Sequence, residues 1–339
     1  MITMLDVAKK AGVSKATVSR VLAGTRYVKK STQQRVYQAI EETGYRPNLL
    51  ARNLATQKSQ NIGLIVTNSL FNGPYFSELL FQTATMTENY GRQLILADGK
   101  YSADDERQAI QFLLDLRCDA IIIYPRFLNV DELAEIIDQH ATPIMVVNRQ
   151  LTRHQAHCVY ACHQHNTVEA VEYLIANGHR EIAFISGLPE SPTAQSRLSG
   201  YQQALQQNGI ACDAARIVQG AWSLESGFNA TRELLARGVS FSALVASNDD
   251  MVIGAAKAFY QAGIAVPDQV SLLGFDDSKV TGYFVPPLTT VHVPVAEMIR
   301  HTLAQLVAML EGEPVEPLPP FAGKLVVRDS VKPGPWFQR

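Results

Sequence analysis

From residue 61 onward the chain alternates short apolar runs with longer stretches in which apolar positions return every third or fourth residue. "NIGLIVTN", "QLILADG", "DAIIIYP" and "PIMVVNR" are short and continuously apolar, which predicts buried strands; the stretches around 75–90, 103–116 and 130–139 predict amphipathic helices packed on them. The rhythm then repeats. A helix in "NTVEAVEYLIANG" precedes the strand "EIAFISG", then helix 193–208, a strand near 216, helix 223–236, "ALVASND", helix 250–262 and "VSLLGFDD". Strands of this kind alternating with helices form parallel sheets covered on both faces. Two successive series predict two doubly wound α/β lobes, with a ligand cleft at the carboxyl ends of their strands.

The first 46 residues have a different pattern. Thr3 can cap a short helix with apolar positions Leu5, Val7, Ala8 and Ala11, and Gly12 ends it. Ser14 caps a second helix, Lys15 to about Leu22, with Val18, Val21 and Leu22 as its buried stripe. Two short helices joined by a glycine-containing turn make a helix-turn-helix, whose second helix lies in the DNA major groove. Ser14, Lys15, Ala16, Thr17, Ser19 and Arg20 are its candidate DNA contacts. Arg donates bidentately to guanine, Ala touches a thymine methyl, and Ser or Thr anchors phosphates. Ser14 and Thr17 also serve as ordinary caps, a role compatible with DNA contact. A third helix is expected from a Ser31 cap, with Val36, Ala39 and Ile40 closing a small all-α core. In "YRPNLLARNLATQKSQ", Pro47 breaks that helix and Asn48 can cap another, whose leucines are too apolar for a plain linker. Paired copies could wedge a leucine into the minor groove, which requires a dimer.

Charge sharpens this division. The chain is formally −2 overall, yet the first 60 residues hold eleven Lys/Arg against three acids, leaving an acidic body. A basic head on an acidic body points to a polyanion met by the head alone. At 339 residues there is room for two or three domains. No apolar run reaches the length of a membrane span and no hydrophobic signal core opens the chain, so a cytoplasmic protein is expected. Cys158 and Cys162 with His157, His163 and His165 form a cluster to weigh as a metal site. Without a matching ligand pair elsewhere, scattered reduced cysteines are the better reading and no metal is expected.

The cleft candidates follow from strand ends: Asn68, Asn148 and Arg149, Asn248 and Asp249, and Asp276 with Asp277. Arg197 and Trp222 are less evident from position. A carboxylate, an amide and an Arg beside an aromatic ring suit a polyol. Lys100 and Arg126 could attract a phosphate on the ligand, with solvated surface charge as the plainer reading.

The order of residues 3–55, with "RLSGY", "SNDDM", "GFDD" and "PPLTTVHVP" in the body, closely resembles the LacI/GalR repressors. The resemblance implies a DNA-binding headpiece (1–46), a hinge helix and linker (47–60) and a periplasmic-binding-protein-like effector domain (61–339). It further implies a lobe of about 61–160 with 292–322 and another of about 161–291 with 323–339. A homodimer on pseudo-palindromic double-stranded operator DNA is implied, with Lys15, Ala16 and Arg20 as specificity positions, Asn48 in the hinge and Leu54 intercalating. Effector contacts carried over are Asn68, Phe76, Asn148, Arg197, Trp222, Asn248 and Asp276, with Asn148 standing where relatives have an Asp. "YFSELLF", "GRQLILADGK" and "FSALVASNDDM" look most like family members governing β-glucoside use, so a β-glucoside or its phosphorylated form is the implied effector. A galactose-type regulator is the alternative.

Other classes fit less well. A sugar-binding transport protein shares the two-lobed body but needs export and has no use for a basic headpiece. An enzyme would have no dinucleotide or P-loop signature here, and the adjacent pairs Asp249/Asp250 and Asp276/Asp277 should point apart rather than act as acid and base. Neither a cofactor nor a membrane partner is expected. The tail "RDSVKPGPWFQR" lacks a leucine heptad, which predicts a dimer rather than a tetramer.

Overall fold

Three short helices in the N-terminal region build their core from valine and alanine: Val7, Ala8 and Ala11 of α1 (Met4–Ala11), Val18 and Val21 of α2 (Lys15–Leu22), and Val36 and Ala39 of α3 (Lys30–Thr43). The structure is a computed structural model and describes residues 2–22, 28–45, 59–70 and 73–337. Residues 1–59 and 60–339 form two compact units. In the first, Thr3 and Asp6 cap α1 reciprocally, with Thr3 Oγ1 donating to Asp6 Oδ2 at 2.7 Å. Gly12 then ends α1 in the left-handed region, at φ 64°. Two sequence expectations change here. Leu5 is 50% exposed, because the helical repeat sets it beyond the stripe formed by Met4, Val7, Ala8 and Ala11. Ser31 lies inside α3 rather than capping it, since the carbonyl of Lys29 already accepts the first helical N–H bonds.

The second unit holds two sheets. The first has order β2-β1-β3-β4-β5 and is parallel throughout: β1 (Asn61–Val66), β2 (Gln93–Asp98), β3 (Ala120–Tyr124), β4 (Ile144–Val147) and β5 (Cys158–Val159). Its helices are α4 (Pro74–Asn89), α5 (Ala103–Asp115) and α6 (Val130–Gln139). The second sheet has order β11-β10-β9-β8-β6-β7. Its strands β6 (Ile182–Ser186), β7 (Ile217–Gln219), β8 (Ala243–Ala246), β9 (Ser271–Asp276) and β10 (Thr289–His292) are parallel. Here α7 (His163–Ala176), α8 (Pro192–Gln207), α9 (Leu224–Ala236) and α10 (Asp249–Gln261) connect the strands. Only β11 (Lys324–Val326) departs from the parallel pattern, running antiparallel to β10.

The chain passes between the lobes more than once. After β5 it enters α7 of the second lobe; after β10 it returns as α11 (Val295–Glu311), whose Met298, Ile299, Leu303 and Leu306 join Ile62, Leu64 and Val66 in one core; it then comes back as β11. Alternate residues of β1 and β3 face opposite layers, so Ile65, Ile121 and Ile123 pack instead with Ile110 and Leu113 of α5 and Leu133 of α6.

One buried carboxylate shapes the first lobe's strand ends. Glu106 on α5 has no solvent exposure, and its two oxygens accept the backbone N–H groups of Arg126 (2.7 Å), Phe127 (3.2 Å) and Leu128 (2.8 Å). Burial pushes its carboxyl above the usual range while these donors pull it back. The loop after β3 is thereby fixed. Glu106→Ala should lower the stability of this unit by about 3 kcal/mol, since several N–H groups lose their acceptor. Chemical denaturation checks this, and an unchanged midpoint would mean that the loop is held by other contacts.

Candidate functional sites

On α2 the burial pattern separates two faces. Val18 and Val21 point into the core, while Ser14, Lys15, Ala16, Ser19 and Arg20 are exposed and Thr17 is half-buried. Ser14 caps the helix by accepting the Thr17 N–H at 3.1 Å, and the two hydroxyls lie 2.9 Å apart. The exposed face therefore offers a guanidinium, an ammonium and a methyl group on one short helix, the set that reads base edges and phosphates. Asn48 and Leu54 lie outside the described residues.

In the second unit a cavity of about 540 Å³ lies between the lobes, at the carboxyl ends of the strands. Tyr75, Tyr124, Arg126, Asn148 and Arg149 line it from the first lobe, and His163, Thr193, Arg197, Trp222, Asn248, Asp250 and Asp276 from the second. Five of the candidate effector residues thus share one cavity: Asn148, Arg197, Trp222, Asn248 and Asp276. Two do not line it. Asn68 sits in the 3₁₀ turn beyond β1, and Phe76 packs against the first lobe's core while its neighbour Tyr75 faces the cavity. A step of one residue turns a helical side chain by about 100°, which exchanges the two roles. Lys100 is exposed and does not line the cavity; Arg126 does, with its guanidinium 3.0 Å from Glu190 of the other lobe.

Arg197 is 2% exposed and cannot shed its charge. It donates to the Ser247 carbonyl and, at 3.2 Å, to Asp276, while its guanidinium carbon stands 4.6 Å from the Phe275 ring centroid and 6.0 Å from that of Trp222. It also approaches His163 Nδ1 at 3.5 Å. Because Arg only donates, Nδ1 must be the bare nitrogen and Nε2 must carry the proton. That proton goes to Asn148 Oδ1 at 2.6 Å, and the Asn148 amide in turn donates to Tyr124 Oη at 2.6 Å and Thr193 Oγ1 at 3.1 Å. The chain crosses from the second lobe to the first. Burial, reinforced by Arg197, holds His163 well below its ordinary value, so the imidazole stays neutral.

Backbone strain gathers at the same strand ends. Asn148, Trp222, Asp276 and Asp277 all have positive φ, at 63°, 65°, 100° and 53°. Asn and Asp tolerate this region; an aromatic residue there is held at a cost of about 1–3 kcal/mol. Trp222 is fixed from two sides. Asn248 donates to its carbonyl at 3.0 Å, and Gly187 leaves room for its ring, since a Cβ there would stand 2.1 Å from the indole. Asn248 also caps α10 through Met251 N–H at 3.0 Å, so both ends of its amide are committed to the protein. The two acid pairs do diverge: Asp277 turns to Arg328 at 2.7 Å and Asp249 into the core, where Thr290, at 2.6 Å, and Ser278 donate to it. Burial and the charge of Asp276 push the Asp249 carboxyl up to about 8.

Sequence reasoning missed Tyr75, Tyr124 and Thr193, and weighed His163 only as a metal ligand. Among the described residues no group of three or more His, Cys, Asp or Glu is placed to hold a metal. His157 instead meets the Ile144 carbonyl at 2.9 Å, and burial raises the Cys158 and Cys162 thiols.

Comparison with known proteins gives a consistent set of similarities. Residues 3–48 match the bacterial regulatory proteins of the lacI family, and residues 171–331 match a periplasmic binding protein-like domain. The chain is 57% identical over 331 residues to the HTH-type transcriptional regulator AscG of Escherichia coli K12, with 98% of each covered. The crystal structure of the Escherichia coli transcriptional repressor ascG superposes with a TM-score of 0.76 at 54% identity, covering 80% of this chain and 99% of that one. The lac repressor dimer bound to operator and the anti-inducer ONPF gives 0.89 at 27% identity, covering 98% and 99%. The transcriptional regulator CelR in complex with cellobiose gives 0.72 at 30% identity, covering 97% and 100%. All three relatives are transcriptional regulators rather than enzymes.

Two outcomes follow from the cavity. Gly187→Ala should displace the Trp222 ring and shift its fluorescence, with ligand affinity reduced about tenfold or more; an unmoved emission spectrum would show that the contact is slack. His163 has a folded-state value below the 6.5 of the free side chain, so the stability it supports is present above about pH 6.5 and lost as pH falls toward the folded value. Melting temperatures at about pH 7 and about pH 5.5 should therefore differ more for the wild type than for His163→Gln, and equal differences would remove His163 as the titrating group.

Proposed function

The chain belongs to the lacI family of bacterial regulatory proteins, and on that footing we propose that it binds a pseudo-palindromic operator of a sugar-utilisation operon as a homodimer, with a β-glucoside-type sugar in the interlobe cavity releasing it. The observation that carries this reading is the cavity itself. The Trp222 ring supplies a flat apolar wall for one face of a sugar, and Arg197, Asp276 and Asn148 supply donors and acceptors fixed by their neighbours before any ligand arrives. Arg197 Nε has no hydrogen-bond partner among the described residues, a donor that a ligand oxygen would satisfy. The likeness to CelR in complex with cellobiose and to AscG supports the sugar class.

A dimer agrees with the apolar side chains left on the surface. Phe81, Leu96 and Phe112 of the first lobe are 60%, 41% and 51% exposed, and Tyr260, Tyr283 and Val285 of the second are 78%, 89% and 87% exposed. Apolar groups of this size left exposed are available to be covered by a second copy of the chain. Lobe closure around a sugar would then act on two headpieces at once, so effector and operator affinities share one coupling energy.

Anisotropy titration of the protein on operator duplexes from its own gene neighbourhood, at fixed salt, tests the reading. Two chains should bind per duplex. Cellobiose, salicin or their phosphorylated forms should weaken binding by about 5-fold to 150-fold, with the duplex weakening sugar binding by the same factor. Affinity no better than for random duplex with every ligand would overturn the proposal, and a sugar that tightened binding would reverse the sign assigned to the effector.

A further inference from the structure

The two acids that open α10 point in opposite directions and do different things. Asp249 is buried and saturated with donors, from Thr290 and from the N–H and hydroxyl of Ser278. Asp250 is half-buried, lines the cavity, and its carboxylate makes no hydrogen bond or ion pair with any described residue. The neighbouring acids are engaged: Asp276 with Arg197 and Glu190 with Arg126. Helix capping does not account for Asp250 either, since Asn248 already caps α10 through the Met251 N–H. A partly desolvated carboxylate without a partner, close to a second acid, is unfavourable in the free protein, and burial together with Asp276 pushes its carboxyl up to about 6. Hydroxyl donors from a ligand would relieve that situation.

Resting on the sugar-effector reading above, we propose that Asp250 is a specificity-determining residue of the cavity, accepting a hydrogen bond from one sugar hydroxyl on the same wall as Trp222. Its role differs from that of Asp276. Asp276 spends one oxygen on Arg197, whereas neither Asp250 oxygen is engaged by a described residue, which leaves both to select a hydroxyl by position. A ligand that lacks that hydroxyl leaves the carboxylate buried and unpaired, which is how a polar group rejects a close analogue.

The test is a cycle between protein and ligand, read by calorimetry or tryptophan fluorescence on the full chain. Phenyl β-glucoside and its monodeoxy analogues are titrated into the wild type, Asp250→Ala and Asp250→Asn. The expected result is that Asp250→Ala weakens phenyl β-glucoside binding about tenfold or more, as for a hydrogen bond to a charged group. One deoxy analogue should show the same loss on the wild type and no further loss on Asp250→Ala, which a merely structural role for Asp250 would not produce. Asp250→Asn keeps the side-chain volume and one acceptor oxygen while removing the charge, and gives a smaller version of the same cycle if the alanine variant fails to fold. Deoxygenation losses that are equal in wild type and variants at every position would overturn this inference alone. Wild-type protein that binds neither phenyl β-glucoside, cellobiose nor their phosphorylated forms would overturn the sugar-effector reading and this inference with it.

Discussion

A guanidinium that cannot be neutralised, set where almost no water reaches it, is the constraint around which the cleft is built. Arg197 must find its compensation inside the protein. Asp276, the Ser247 carbonyl and two aromatic faces supply it. The same Nη2 that bonds Asp276 then dictates which nitrogen of His163 is bare, and through His163 the orientation of the Asn148 amide on the opposite lobe. One fixed charge thus sets the polarity of a hydrogen-bond chain that spans the cavity. Each donor along it is pre-oriented, and a ligand meets groups that need little rearrangement.

Stability and function draw on different parts of this unit. The sheets hold their places through continuous apolar layers, with Ile62, Leu64, Ile65, Ile121, Ile122 and Ile123 wholly buried. The strained backbone at Asn148, Trp222, Asp276 and Asp277 lies where those strands end. Regular structure on one side and capping interactions on the other hold these residues in conformations they would not adopt alone. Glu106 serves the same end for the loop after β3, holding its N–H groups in place of a strand partner.

Much of this was legible because it depends on periodicity. Val18 and Val21 mark the inner face of α2, so the outward set Lys15, Ala16, Ser19 and Arg20 follows from helical spacing alone. The strand ends were equally plain, and with them Asn148, Asn248 and Asp276. Features that depend on contacts distant in sequence were not. Whether Tyr75 or Phe76 faces the cavity is fixed by how α4 docks, and both are aromatic. The conformation of Trp222 depends on the missing side chain of Gly187 at the neighbouring strand end, and the neutral state of His163 on its burial between layers and then on an arginine one helix further along. No local pattern carries such information, because the partners meet only after both layers have formed.

The repeated passage of the chain between the lobes bears on how the protein is made. One apolar side of the first sheet, with Ile62, Leu64 and Val66, is covered jointly by α4, through Leu79, and by α11, which lies roughly two hundred residues later in the chain. During synthesis the whole of the second lobe through β10 emerges before that helix does. A ribosome-bound intermediate therefore carries a β-layer that α4 covers only in part for most of its elongation, the kind of surface on which chains associate wrongly. Neither lobe is a contiguous fragment, and the first cannot complete its packing until α11 has followed most of the second out of the ribosome.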